Sequence, residues 1–324
     1  MITTTFSQHP CLQKHFDHSW QANNSLRQAM QYALAPLVRQ APVSVVVVGS
    51  YGRCEVSRIS DIDFFIVHDG SMSEARLLDV LHQVKNLVRP LSWPGESDES
   101  KFGQGALSLY SELSNHIGWK QESNTALTRR MLLLLEGRPL FGDESFTRWR
   151  TELLCRYVAS DQGTGLPRFM LNDVVRYYRS MMANCEEKRA EGKAWGVRNI
   201  KLKFSRKLLY LGGIVVIAEA HGLPASEKIK RLDHWLSFTP LQRVAMLGQS
   251  NPHTGQLLEQ YALFLDLISS LENRRRLDSL SPEYARTDPL YREISIVGKA
   301  FSEGLEQWLA AQYPGHPILH AMLF

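Results

Sequence analysis

The stretch VVVVGSYGRCEVSRISDIDFFIV, residues 45–67, decides the fold of the first part of this 324-residue chain. Its valines belong to a β-branched run from Val43 to Val48, which is typical of a strand buried on both faces. A polar loop over residues 49–60 follows, and residues 61–67 return to an apolar pattern that predicts a second strand. The loop between the two strands carries a Gly-Ser turn and ends in an Asp-x-Asp pair.

Asp61 and Asp63 are the candidate metal ligands of this stretch. Residues two apart on a strand point to the same face, so the two carboxylates come close and repel each other. A divalent cation relieves that repulsion, and magnesium binds carboxylates while it keeps water and substrate phosphates as further ligands. The pair could also be a strand cap or a surface turn. The joint pattern of strand, Gly-Ser, loop, Asp-x-Asp and strand favours the metal site.

Gly49 and Ser50 are the candidate phosphate-binding residues. A glycine allows backbone N–H groups to approach a phosphate closely, and Ser50 adds a hydroxyl donor. Arg53 and Arg58 can neutralise phosphate charge, or they can lie in solvent. The motif therefore predicts a metal ion bound beneath the phosphates of a nucleotide.

The segment GSYGRCEVSRISDIDFFIV, residues 49–67, resembles the signature of the nucleotidyltransferase (polymerase-β-like) superfamily, in which Gly-Gly or Gly-Ser precedes Asp-x-Asp. It is most similar to the uridylyltransferase domain of the PII-modifying enzymes and to related bacterial nucleotidyltransferases. A weaker similarity extends to LLLLEGRPLFGDESF, residues 132–146. That group has glycine where this chain has Ser50 and Cys54.

The resemblance implies a small mixed sheet with helices behind it and a triphosphate bound by Gly49 and Ser50. It implies that Asp61 and Asp63 are catalytic and bind two magnesium ions, with manganese as the alternative ion. The reaction of the family transfers a nucleoside monophosphate from an NTP to an acceptor hydroxyl and releases pyrophosphate. The acceptor could be a protein side chain, an RNA end or a small molecule.

A third carboxylate on a later strand is common among such relatives. Glu96, Asp98 and Glu99 are candidates here, or they form an acidic loop in solvent. Without a third carboxylate, the alternative function is a catalytically silent nucleotide sensor that binds a partner protein through its helical part. A purely structural adaptor is the weakest hypothesis.

The chain divides by its pattern into two parts. Helices are predicted over residues 25–38 and 73–88, and a third strand over residues 88–93. From residue 125 onward helical patterns dominate, including a buried helix over residues 208–220. The sequence thus predicts an α/β (α+β) fold, with a small mixed-sheet nucleotidyltransferase core at residues 1–120 and an all-α domain at residues 121–324.

A basic segment, residues 198–207, contains five cations in ten residues. We expect Arg198, Lys201 and Lys203 to contribute to nucleotide binding, because a triphosphate needs cationic side chains as well as metal ions. The other interpretation is a solvated basic face at the start of a buried helix.

Overall composition narrows the class of protein. The net charge of +4 is a mild excess, which argues against long nucleic acid as the substrate. Four cysteines without a CxxC pair predict neither a zinc site nor a disulfide framework and favour a reducing, cytoplasmic location. The N-terminus does not have the pattern of a signal peptide, and no membrane partner is expected.

Overall fold

The computed structural model describes residues 5–91, 104–159, 163–192 and 194–322. Within them the chain forms two compact units. The sheet unit comprises residues 15–91 and 104–159, and the helical unit comprises residues 5–14, 163–192 and 194–322.

The sheet unit contains a four-stranded mixed sheet in the order β3-β2-β1-β4. Strand β1 pairs antiparallel with both β2 and β4, whereas β2 pairs parallel with β3. The strands are β1 (Val43–Val48), β2 (Asp63–His68), β3 (Leu107–Leu109) and β4 (Arg138–Phe141). The predicted mixed sheet is confirmed, and β1 has the predicted bounds.

Helices account for most of the remaining described residues. In the order of the chain they are α1 (Pro10–Val38), α2 (Gly49–Arg53), α3 (Glu74–Val88), α4 (Tyr110–Ser114), α5 (Asn124–Leu135), α6 (Asp143–Ala159), α7 (Arg168–Ala190), α8 (Gly196–Lys201), α9 (Lys207–Glu219), α10 (Ala225–Leu236), α11 (Pro240–Leu247), α12 (Thr254–Ser269), α13 (Leu271–Asp278), α14 (Pro282–Ala285), α15 (Pro289–Gln312) and α16 (Pro317–Ala321). A π-helical turn, Leu202–Arg206, joins α8 to α9.

Helices cover both faces of the sheet, so β1 is buried along its whole length. Alternate residues of β1 and β2 share one apolar cluster with α1 and α3, represented by Val45, Ile66, Met30 and Val80. On the other side, α5 and α6 contact β1. A strand buried on both faces needs residues that avoid water at successive positions, which is why five of the six residues of β1 are valine and the sixth, Ser44, donates its hydroxyl to the Phe141 carbonyl.

The sheet unit extends past residue 120, where the sequence predicts a domain boundary. Strand β4 begins at Arg138 and pairs with β1, so a segment distant in sequence forms one edge of the sheet. Its four residues include Pro139, and so short a run carries little strand signal.

Two predicted elements differ from the structure. The strand expected over residues 88–93 is wrong for its described part, because Arg89–Leu91 is a 3-10 helix. Helix α1 begins at Pro10 rather than at residue 25. Its buried stripe in the sheet unit runs through Phe16, Ser19 and Asn23, and the two polar members interrupt the apolar pattern.

The predicted buried helix near residues 208–220 is confirmed as α9, and its residues from Leu208 to Ala218 are nearly all buried. Across the described chain, no helix is both long enough and apolar enough to cross a bilayer.

Candidate active site

The candidate site lies where β1 ends beside the start of β2. Val48 pairs with Asp63 in the antiparallel register, and the chain leaves β1 at Gly49. Gly49 has a φ of +65°, and a Cβ there would lie 2.9 Å from Oδ2 of Asp63. Glycine is therefore required twice, by its left-handed backbone and by the carboxylate that lies against it.

Asp61 and Asp63 flank a core residue. Ile62 and Phe64 belong to the apolar cluster on one face of the sheet, while the two aspartates are half-buried. Alternation directs Asp63 away from that cluster. Asp61 precedes the first residue of β2, so it lies on the approach to the strand.

A third metal ligand is not found among the described side chains: none of the described groups of three or more potential ligands includes Asp61 or Asp63. Glu96, Asp98 and Glu99, the candidates for this role, lie outside the described residues.

The predicted loop begins as a short helix, α2, and then bends sharply. Cys54 adopts a left-handed conformation with φ 57°, and the Glu55 N–H returns to the Ser50 carbonyl at 2.8 Å. A left-handed residue costs little when it is glycine and about 1–2 kcal/mol otherwise, so the turn at Cys54 is held against its backbone preference.

Helix α1 fixes the loop from behind. Asn23 donates from Nδ2 to the Tyr51 carbonyl at 3.1 Å, and the Val56 N–H donates to Ser19 Oγ at 2.7 Å. These contacts explain the two polar residues on the buried stripe of α1.

A buried charge network lies under the turn. Arg53 donates from Nη1 to Glu136 at 2.6 Å and from Nε to Glu55 at 2.8 Å. The other oxygen of Glu136 accepts the Gly49 N–H at 3.0 Å. The side chains of Arg53 and Glu55 are 5% exposed and that of Glu136 is 0% exposed, so the network is internal.

The start of β4 completes the support of the turn. Arg138 donates from Nε to the Gly52 carbonyl at 2.9 Å. A Cβ on Gly52 would lie 2.3 Å from the Glu136 carbonyl oxygen, so α2 and the β4 segment approach each other backbone to backbone. Ser50 is half-buried and Arg58 is exposed.

The basic segment belongs to the helical unit. Arg198 donates to the Ala194 carbonyl at 2.5 Å, and Lys201 is half-buried on α8. Lys203 donates to Ser295 Oγ at 2.9 Å and lies 5.0 Å from the centre of the Tyr291 ring. The expected contact of these cations with phosphates stays a prediction.

Lys203 and Lys207 are paired with neutral groups. Lys207 donates to Ser302 Oγ at 2.6 Å, and Lys203 donates to Ser295 Oγ. The two serines lie about two turns apart on the same side of α15. Burial lowers the pKa of the Lys203 ammonium, and the charge of Lys207 lowers it further.

Glu55 and Glu136 were not singled out as site residues by the sequence. Both lie in segments that carry the resemblance, GSYGRCE and LLLLEGR, so the resemblance could have pointed to them. That the two segments contact each other is visible only in the folded structure.

Comparison with known proteins supports the motif. Residues 34–101 match a family model described as a nucleotidyltransferase domain. No curated protein matches the chain. The resemblance to the nucleotidyltransferase superfamily is thus confirmed for this segment, which includes β1, α2, β2 and α3, while the closer similarity to PII-modifying enzymes stays a prediction.

Proposed function

We propose that this protein is a metal-dependent nucleotidyltransferase that moves a nucleoside monophosphate from an NTP to an acceptor hydroxyl. The observation that carries the proposal is the Asp63 carboxylate lying against Gly49, within the segment that matches the nucleotidyltransferase model. That geometry supports the proposal because it brings the candidate metal ligand and the candidate phosphate turn to one end of two paired strands.

Asp61 and Asp63 would hold the metal. Their oxygens are hard ligands, and half-burial leaves room for water and phosphate oxygens, a donor set that suits magnesium or manganese. Bound there, the divalent ions would lower the pKa of the acceptor hydroxyl and neutralise charge on the phosphates.

Gly49 and Ser50 would receive the triphosphate. The Gly49 N–H is already bonded to Glu136, so direct contacts would begin with the Ser50 hydroxyl and the amides that follow. Arg53 would support the turn by binding Glu136 and would not contact phosphate, since its guanidinium is buried between two carboxylates. Arg198, Lys201 and Lys203 are proposed as further phosphate contacts because they belong to a segment with five cations in ten residues.

In the reaction, the acceptor oxygen attacks the α-phosphorus of the NTP. The bond from that phosphorus to the bridging oxygen of the β-phosphate breaks, and pyrophosphate leaves with the bond electrons. Catalysis would come mainly from positioning and charge neutralisation, so the fixed geometry of the turn matters more than any single proton transfer.

Thermal unfolding with Mg²⁺ and each of ATP, GTP, CTP and UTP tests binding. A nucleotide at about one hundred times its Kd should stabilise the protein by about 2.7 kcal/mol. The double variant Asp61→Asn/Asp63→Asn should lose most of this gain. Asp69→Asn is the matched control, since Asp69 is an exposed carboxylate just beyond the other end of β2.

Transfer is tested with NTPs labelled at the α-phosphate or the γ-phosphate in a cell lysate. A transferase attaches only the α-label to an acceptor, and the acceptor can then be isolated. Equal nucleotide stabilisation of the parent and the double variant would overturn the metal assignment. Binding without transfer of either label would favour the silent sensor.

A further inference from the structure

Glu136, a carboxylate of the buried network, contacts the backbone of the candidate phosphate turn. One oxygen accepts the Gly49 N–H at 3.0 Å, and the other accepts Nη1 of Arg53 at 2.6 Å. The residue lies 87 positions from Gly49 in sequence and outside residues 34–101. A segment beyond the matched region therefore reaches the turn.

Stability alone is a weak reason for such an arrangement. Burying a carboxylate and a guanidinium is costly, and apolar residues of similar volume often stabilise a fold at least as well. What a carboxylate adds is two acceptors at fixed positions. Here they join the first amide after β1 to the guanidinium of Arg53, which Glu55 holds from its Nε side.

We propose that Glu136 is a positioning residue for nucleotide binding. Together with Arg53 it fixes the amide of Gly49, and thereby the orientation of Ser50 and the distance of the turn from Asp63. The inference rests on the proposed function, because it takes the turn to be the triphosphate site. It assigns Arg53 to the support of the turn, since two buried carboxylates already share its charge.

The substitution that isolates this role is Glu136→Gln. Glutamine has almost the same shape, but its amide offers one acceptor and one donor group. Whichever way the amide faces, a donor of Gln meets a donor of either Gly49 or Arg53. The variant should therefore lose either the hydrogen bond to the Gly49 N–H or the one to Arg53, while the volume of the buried side chain stays the same.

Glu122→Gln is the matched control. Glu122 forms an equally buried ion pair with Arg130 in the sheet unit, with side chains 1% and 0% exposed. The other described partners of Arg130 are Tyr157 and the Leu113 carbonyl, which lie outside the site segment. This variant reports the general cost of neutralising a buried glutamate.

The full-length variants are compared by two binding probes, Mn²⁺ alone and Mn²⁺ with inorganic tripolyphosphate. Glu136→Gln should bind Mn²⁺ as the parent does but bind tripolyphosphate about tenfold more weakly, an effect on the order of one lost hydrogen bond in the support of the turn. Glu122→Gln should match the parent with both probes. Equal loss in both variants, or unchanged tripolyphosphate binding in Glu136→Gln, would overturn the proposal.

Amide hydrogen exchange separates this inference from the proposed function. In Glu136→Gln, exchange should accelerate over residues 49–53 while residues 43–48 stay protected. Unchanged exchange over the turn would refute the positioning role even if the protein binds nucleotides. Faster exchange in a protein whose parent binds no tripolyphosphate would refute the nucleotide site and leave only the support of the turn.

If Glu136→Gln does not fold, Arg53→Lys carries the same test. Lysine keeps the positive charge but cannot donate to two carboxylates with the planar fork of arginine. The same selective loss of tripolyphosphate binding is expected, and its absence would contradict the proposal.

Discussion

The turn of the sheet unit and the basic segment of the helical unit both contain cations that the sequence marks as phosphate ligands, yet their charges are balanced differently. Arg53 is internal and its charge is shared by the carboxylates of Glu55 and Glu136. Lys203 and Lys207 are half-buried and donate to serine hydroxyls, which carry no charge.

The difference shows that a cation in a sequence motif need not contact the ligand of that motif. Arg53 is a cation within the signature itself, but its contacts stabilise the backbone that would bind phosphate. The basic segment lies far outside the signature, and the partners of its Lys203 and Lys207 are uncharged serine hydroxyls. An anionic ligand is therefore better matched electrostatically to the segment than to Arg53.

Removing one cation from each region should give the largest difference in stability between the two regions. Arg53→Met leaves two carboxylates buried without their guanidinium, so it should lower the free energy of unfolding by about 3–5 kcal/mol. Lys207→Met removes a half-exposed charge with a neutral partner and should change it by less than about 1 kcal/mol. Urea unfolding measures the free energy of unfolding of both variants. A loss in Arg53→Met as small as that in Lys207→Met would show that the buried carboxylates do not need the guanidinium for stability.

Glycine substitutions probe the packing of the same two regions. In Gly52→Ala the new methyl would meet the backbone oxygens of Glu136 and Val47 at 2.3 and 3.2 Å, so we expect a loss of about 1–3 kcal/mol or more. In Gly298→Ala it would meet side-chain atoms of Phe204 and Lys203 at 3.1 to 3.3 Å.

Those side chains can move, and alanine favours the interior of helix α15 by about 1 kcal/mol over glycine. Gly298→Ala should therefore be close to neutral, and melting temperatures of the two variants compare them directly. A larger loss at Gly298 than at Gly52 would mean that the helical unit is the more tightly packed region.

The pH dependence of Lys203→Met is the smallest expected effect. Because burial and Lys207 lower the pKa of Lys203 in the folded state, the unfolded chain binds the extra proton more tightly. Near neutral pH the charged lysine therefore opposes folding, and this penalty disappears as pH rises through the lowered pKa toward the ordinary value of 10.5.

Compared with the parent, Lys203→Met should thus gain no more than about 1 kcal/mol from charge removal near pH 7, since solvent screens a half-exposed group. That part of the difference should shrink as pH rises toward the ordinary lysine pKa of 10.5, which unfolding at a series of alkaline pH values would detect. A difference that grows with pH would show that the lysine stabilises the fold through its charge.

Local patterns predicted what depends on neighbours in sequence. Strand β1 followed from its valine-rich run, and α3 from its apolar stripe. The pairing of Glu136 with Gly49 has no local pattern, because a buried glutamate in LLLLEGR looks like the end of an amphipathic helix. Cys54 gave no local sign of its left-handed backbone.

The predicted start of β2 at residue 61 shows the same limit within the site. Asp61 continues the alternation of the strand, but hydrogen bonding begins at Asp63, opposite the last residue of β1. The position of a partner strand, and not the pattern of the chain, sets where a ladder ends. The pairing of the two aspartates at one metal site stays a prediction, and their different backbone settings were not predictable from the pattern.

The attachment of β4 to β1 has a consequence for how the protein is made. The Gly-Ser turn and the aspartates leave the ribosome long before Glu136, which follows Gly49 by 87 residues. Until then β1 has an open edge, and Arg53 lacks one of its two buried carboxylates. Closing so long a stretch of chain is a slow kind of step in folding. A nascent chain that already contains the whole signature therefore still lacks the shape of the site, which is complete only when β4 has docked.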